Sequence, residues 1–90
     1  MARSVQDVVF VDGVRTPFGR AGNAFAETRA DDLVVKVFRE LLRRNPTLPP
    51  ERIDDVAVAA TTQMGDQGMT IGRSAALLSG LPASVPGYSV

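Results

Sequence analysis

Hydrophobic positions along the chain form two short continuous runs and one helical stripe. Residues 8–11, Val-Val-Phe-Val, form a run that predicts a strand buried on both faces, as in a parallel sheet. Residues 56–60, Val-Ala-Val-Ala-Ala, predict a second strand because turn residues bound them and a helical pattern precedes them. A third strand is predicted near residues 87–90, entered through Val85-Pro86.

The helical stripe predicts a first helix that closes at Asn45-Pro46. Thr28 and Asp31 have the spacing of a capping box, and Asp31 and Asp32 suit the positive end of the helix dipole. A second, small-residue helix is predicted over residues 70–79, with Gly80 as its left-handed cap. The stripe of the first helix consists of Val34, Val37, Phe38, Leu41 and Leu42.

The resulting order, β-α-β-α-β, predicts an α/β fold: a mostly parallel sheet with helices on its faces. Residues 20–28, 48–53 and 61–68 lack a firm period and are interpreted as connecting loops. We treat residues 1–90 as part of one incomplete N-terminal domain. Because an apolar strand at a terminus leaves backbone groups unpaired, we expect more protein to follow Val90.

Composition narrows the function classes. Hydrophobic residues make up 44% and charged residues 22% of the 90, which is typical of a globular domain. The ten basic and ten acidic residues give a formal net charge of zero. The chain therefore has no excess of positive charge with which to bind nucleic acid. The apolar run at residues 8–11 is too short for a signal peptide, and no segment approaches a membrane span. We therefore expect a cytoplasmic protein without a nucleic-acid or membrane partner.

The chain contains neither Cys nor His. This excludes disulfides, the usual zinc sites, Cys-His nucleophile pairs and Ser-His triads within these residues. The serines accordingly have no base partner. We assign no catalytic, cofactor-binding or metal-binding residue to the segment.

The Gly-rich stretch at residues 65–72, Gly-Asp-Gln-Gly-Met-Thr-Ile-Gly, lies between a predicted strand and a predicted helix, where phosphate loops occur. Its spacing matches neither common nucleotide motif, no Lys is near, and Asp66 would repel a phosphate. We therefore favour a structural use of the glycines, for a tight turn and for close helix packing.

Other charged residues receive structural interpretations too. The pairs Asp31-Asp32 and Asp54-Asp55, the second with Glu51 nearby, diverge along the chain and are expected to cap or solvate element ends rather than act as acid and base. Arg15 follows the first predicted strand and Arg73 lies early in the second helix. Either could clamp an anion, but a structural role, satisfying loop carbonyls or pairing with an acid, is favoured.

Taken together, these motifs resemble the thiolase family. Residues 14–19, Val-Arg-Thr-Pro-Phe-Gly, resemble its opening motif. Residues 63–68, 72–77, 79–82 and 85–86 are similar, in order, to its Gly-rich loop, its helix, its Gly-Leu-Pro stop and its Val-Pro strand entry. Each piece is weak alone, whereas their order and spacing over essentially the whole chain are specific.

The resemblance implies an acyl-CoA acyltransferase that makes or cleaves 3-oxoacyl-CoA through a cysteine acyl-enzyme. The nucleophilic Cys is implied to follow the last strand at the start of a helix, beyond Val90, so coenzyme A thioesters are substrates of the parent protein rather than ligands of this segment. The family also implies a homodimer or tetramer with Tyr88, Ser89 and Val90 near the subunit interface. Two alternatives stay open: a non-catalytic thiolase-like subunit and a small nucleotide-binding βαβ domain.

Overall fold

The structure, a computed structural model, describes residues 6–90. It contains helix α1 (Ala30–Arg44), strand β1 (Val56–Val58), helix α2 (Ile71–Leu78) and strand β2 (Gly87–Ser89). Two short 3-10 turns, Pro50–Arg52 and Gly65–Gln67, lie in the connections before β1 and before α2. Two parallel strands joined through a helix confirm the predicted α/β class.

Helix α1 carries the predicted stripe on a half-buried face, but its one buried residue, Val35, lies outside the residues that the prediction named. It ends where the sequence indicates: the Asn45 backbone N–H donates to Leu42 O at 3.2 Å, and Asn45 Nδ2 donates to Leu41 O at 2.8 Å. The predicted capping box is wrong, because the helix begins at Ala30 and Arg29 occupies the N-cap without a side-chain bond. Thr28 instead closes a preceding turn, its N–H donating to Phe25 O at 3.0 Å.

Strands β1 and β2 pair in parallel, with Val56 opposite Gly87, Ala57 opposite Tyr88 and Val58 opposite Ser89. Hydrogen bonds extend the pairing beyond the regular strands, from Val90 N to Val58 O at 2.9 Å and from Ala60 N to Val90 O at 2.8 Å. The second and third predicted strands are therefore confirmed. The regular part of β1 ends at Val58, two residues before the prediction.

Helix α2 packs against both strands and against α1. Its buried residues are small apart from Ile71, so the helix axis lies close to the sheet. Gly80 ends it in the left-handed region, at φ +90°, and the Leu81 N–H reaches back to Ala76 O at 3.1 Å, which confirms the predicted cap. The interior consists of Val35, Ile71, Ala75, Ala76, Leu81 and Val85.

The first predicted strand, at residues 8–11, is not formed. Its side chains are 73–97% exposed, and the sheet of residues 6–90 consists of β1 and β2 alone. A strand is defined by its hydrogen-bonded neighbour, and within residues 6–90 none lies beside this run. The prediction of a buried parallel strand is therefore wrong for the described part of the chain.

Candidate functional site

The place where chemistry is expected in a parallel sheet is the edge formed by the carboxyl ends of its strands. Here that edge is formed by Val58 and Ser89, which are register partners. The loop of residues 61–70 leaves β1 at this edge and returns the chain to the N-terminus of α2. The loop, the start of α2 and the end of β2 therefore constitute the candidate site.

The Gly-rich loop is built by unusual backbone angles and by one carboxylate. Gly65 is the first residue of the 3-10 turn and has φ +57°, a conformation that glycine adopts without steric cost. Asp66 Oδ2 accepts a hydrogen bond at 2.7 Å from the backbone N–H of Ala30, the first residue of α1. Met69 and Thr70 also have positive φ, 53° and 51°, a strained conformation for residues with side chains. Ser74 Oγ donates to Met69 O at 3.1 Å and holds this strained pair.

Helix α2 touches β2 backbone to backbone. A Cβ added to Gly72 would lie 2.1 Å from Tyr88 O, and one added to Gly87 would lie 2.6 Å from Gly72 O. Both distances are far below van der Waals contact, so glycine is required on each side of the seam. The predicted use of the glycines, a tight turn at Gly65 and close helix packing at Gly72, is confirmed.

Several backbone N–H groups at the N-terminus of α2 already donate to other protein groups and are not available to a phosphate. The N–H groups of Arg73 and Ser74 both donate to Thr70 O, at 2.9 and 3.1 Å. The Gly72 N–H donates to Ser89 Oγ at 3.2 Å. With three of its early donors used internally and Asp66 nearby in the loop, the helix start favours the structural interpretation over an anion site.

The paired carboxylates do not converge on a pocket. Asp31 pairs with Arg29 at 3.0 Å, and the hydrogen bonds from that guanidinium lower the pKa of Asp31. Asp55 accepts the N–H of Val56 at the entry to β1. Both carboxylates therefore serve element ends, as predicted. Among residues 6–90, acidic side chains form no group of three or more that could hold a metal ion.

The two candidate arginines also resolve into structural roles. Arg73 donates to Val85 O and, at 3.0 Å, to Ala83 O, so it ties α2 to the segment that enters β2. Arg15 donates to the neighbouring Thr16 O at 3.0 Å and lies 4.9 Å from the ring centroid of Phe18. The favoured interpretation, that they satisfy loop carbonyls, is confirmed for both.

An open, mostly apolar groove of about 790 Å³ lies beside β1. Its lining is mostly apolar, and its carboxylates are those of Asp12 and Asp55. Among its lining residues are Phe38, Leu41, Leu42, Ile53, Val56 and Leu81.

Neither helix of residues 6–90 combines the length and the apolar character needed to cross a membrane.

Two site residues escape sequence reasoning: Asp66 as the partner of α1 and Ser89 as the partner of α2. Their bonds span 36 and 17 residues of sequence. Local capping patterns extend over three or four residues, so no spacing rule could reveal these two contacts.

Comparison with known proteins agrees with this geometry. The model of the thiolase N-terminal domain matches residues 8–90, nearly the whole chain. The chain belongs to the thiolase family. The family match includes residues 8–11, which the structure leaves unpaired.

Individual thiolases resemble the chain along most of its length. It is 45% identical over 86 residues to the 3-oxoadipyl-CoA/3-oxo-5,6-dehydrosuberyl-CoA thiolase of Escherichia coli K12, and 42% identical over 87 residues to a 3-ketoacyl-CoA thiolase of Photorhabdus laumondii. Each alignment covers 96% of this chain. The chain spans 21% and 22% of those two relatives, about a fifth of their length.

A solved thiolase structure shows the same fold. The acetyl-CoA acetyltransferase of Bacillus anthracis superposes with a TM-score of 0.76 at 32% sequence identity. The superposition covers 87% of this chain and 19% of that enzyme. The two helices and the parallel strand pair are therefore a fragment of the thiolase fold.

Proposed function

We propose that the polypeptide carrying this segment is a thiolase-type acyltransferase that makes or cleaves 3-oxoacyl-CoA through a cysteine acyl-enzyme, with its catalytic residues beyond Val90. The observation that carries the proposal is the parallel pairing of β2 with β1, within a chain matched to the thiolase domain from residue 8 to residue 90. This pairing delivers the chain at Val90 to the edge where ligands of parallel sheets bind.

The chemistry expected there follows from a thiolate at a helix start, where the helix dipole lowers the thiol pKa. In the cleavage direction the thiolate adds to the 3-oxo carbonyl carbon, the C2–C3 bond breaks, and C2 takes a proton as acetyl-CoA leaves. The sulfur of coenzyme A then attacks the acyl-enzyme thioester, and the bond between the acyl carbon and the enzyme sulfur breaks. The proton of the coenzyme A thiol replaces the one given to C2, so the enzyme sulfur is a thiolate again. In this proposal residues 6–90 position β2, the strand that leads to the nucleophile, and contribute none of the reacting groups.

Exposed apolar surface supports a role for this segment within a larger protein. Residues 8–11 leave their side chains 73–97% exposed, and the apolar groove beside β1 is open. Monomeric domains rarely leave such surfaces uncovered. Since the thiolase relatives are about five times as long as this chain, we propose that further segments of the same protein cover both.

We also propose a homodimer or tetramer with Tyr88, Ser89 and Val90 near the interface, in a cytoplasmic enzyme of lipid or fatty acid metabolism. Tyr88 and Val90 are 45% and 64% exposed, and within residues 6–90 β2 uses one edge for β1. Light scattering on the complete protein tests assembly. A Tyr88→Glu variant that stays assembled like the wild type would argue against this interface.

The test of function is thiolysis of acetoacetyl-CoA, and of longer 3-oxoacyl-CoA substrates, by the complete protein in the presence of coenzyme A. We expect turnover that iodoacetamide abolishes, with one alkylated Cys located after Val90 by peptide mass spectrometry. A protein that folds, contains no such Cys and turns over none of these thioesters is a non-catalytic member of the family, and the proposal fails.

A further inference from the structure

We propose that Ser89 is a positioning residue of the acyl-transfer reaction, acting by fixing the carboxyl end of β2 to the N-terminus of α2. This inference rests on the proposed function, because it concerns the segment that would deliver the nucleophile. Ser89 contacts no reacting group in this role. It determines where the chain goes after the strand.

The first step is the capping state of α2. Its N-cap residue, Thr70, has φ 51° and makes no side-chain capping bond. The first N–H groups of a helix need partners from outside the helix. The Gly72 N–H finds one in Ser89 Oγ at 3.2 Å, a partly buried hydrogen bond between residues 17 apart. The strand thus supplies the cap that the helix lacks locally.

The second step is the geometry of the seam. Gly72 lies against the backbone of Tyr88, and Gly87 lies against Gly72 and Arg73. Gly87 and Ser89 are half-buried whereas Tyr88 between them is exposed, as expected for alternate faces of a strand. Among the three residues of β2, Ser89 is therefore the one whose side chain bonds to the helix end.

The third step is the direction of the chain. The pairing of Val90 with Val58 and Ala60 fixes the end of β2 along one edge. These hydrogen bonds do not fix how far the strand end rotates toward α2. Contacts on the face of the strand must fix that rotation. The Ser89 hydroxyl restrains this freedom one residue before the end of the segment. A displacement of about 1 Å at a reacting group can cost on the order of a hundredfold in rate.

The experiment uses the complete protein and a shape-matched pair of variants, Ser89→Thr and Ser89→Val. The two replacements have the same shape, and the first keeps a hydroxyl. We expect Ser89→Val to lower kcat by roughly ten- to a hundredfold with little change in KM for the 3-oxoacyl-CoA, while Ser89→Thr keeps kcat within about threefold of wild type. The pH profile of the thiol alkylation rate should shift in Ser89→Val and stay unchanged in Ser89→Thr.

A control separates positioning from stability. Ser79 is buried, and its Oγ donates to Ala75 O at 2.6 Å near the opposite end of α2. Ser79→Ala should lower Tm and leave kcat and the alkylation profile unchanged. Light scattering on each variant checks that assembly is retained.

The outcomes are distinct. Equal kcat in the Val and Thr variants, or a loss of kcat that follows Tm or subunit dissociation, overturns the positioning role. If Ser89→Val does not fold, Ser89→Ala is measured in its place against the same Thr variant. Absence of turnover in the wild type counts against the proposed function and is recognised before any variant is compared.

Discussion

The carboxylate of Asp66 accepts the backbone N–H of Ala30 at 2.7 Å, so that a loop between β1 and α2 caps a helix 36 residues earlier in the chain. Asp66 lies in the Gly-rich stretch between a strand and a helix, for which the sequence favours a structural use. Its charge faces the positive end of α1, where an anion is stabilising. The residue that argues against phosphate binding at this loop is thus the residue that joins the loop to α1.

Removal of this cap should destabilise the protein measurably. Asp66→Ala is expected to lower the free energy of unfolding by about 1 kcal/mol, the usual cost of losing an N-cap side chain, and Asp66→Asn by less because an acceptor oxygen remains. Urea denaturation of the complete protein measures both. Asp54→Ala, at an exposed carboxylate, is the control and should change stability by less than about 0.5 kcal/mol. Equal effects of Asp66→Ala and the control would show that the contact contributes nothing.

Gly72 should be the least replaceable glycine of the segment. In Gly72→Ala the new Cβ would lie 2.1 Å from Tyr88 O, and backbone cannot yield as a flexible side chain does. We expect the free energy of unfolding to fall by about 3 kcal/mol, or the variant to fail to accumulate as soluble protein.

Gly80→Ala is the matched comparison: its φ of +90° is unfavourable for alanine, but nothing lies within 4 Å of the new Cβ. That variant should lose about 1 kcal/mol and remain folded. Thermal unfolding ranks the two, and the reverse order would contradict the close approach.

Arg73 and Arg15 should respond differently to substitution although both donate to backbone carbonyls. Arg73 bonds two carbonyls, those of Ala83 and Val85, and so joins α2 to the entry of β2. Arg73→Lys loses the planar fork and should cost about 2 kcal/mol. Arg15 makes its bond to an adjacent residue at the surface, so Arg15→Lys should cost less than about 0.5 kcal/mol. Guanidinium denaturation curves of the two variants test the difference, and equal midpoints would refute it.

Glu40 gives the fold a pH dependence at the acid end. Hydrogen bonds from Arg43, then from Arg44, lower the pKa of Glu40 to about 2, from an ordinary value of 4.5. Since the folded-state pKa is the lower one, the contribution of Glu40 is fully present above 4.5 and is lost as pH falls toward about 2. The destabilisation caused by Glu40→Gln should therefore be seen near neutral pH and should vanish at the acid end.

Because these groups lie at the surface, added salt should weaken the effect. An NMR titration of the Glu40 carboxyl carbon measures the pKa directly. A midpoint near 4.5 would show that the two arginine contacts do not persist in solution.

Local sequence determined much of this fold. The stripe of α1, its stop at Asn45, the left-handed Gly80 and the strands around residues 56–58 and 87–89 all depend on periodicity and turn chemistry within a few residues. These features can be predicted because the helical and strand periods, and the conformational freedom of glycine, depend on local backbone geometry. The resemblance to thiolases likewise lies in the order of short motifs, and the family match confirms it.

Tertiary structure decided the rest. Whether residues 8–11 form a strand depends on a neighbour that must be brought alongside, and within residues 6–90 none is. The side-chain partners at the N-termini of both helices, Asp66 and Ser89, are distant in sequence and adjacent in space. The need for glycine at residue 72 arises from the backbone of Tyr88 packed against it. Hydrogen bonds and steric contacts act over a few ångströms of space, so a sequence reveals them where the partners are neighbours along the chain and conceals them where the fold alone makes them meet.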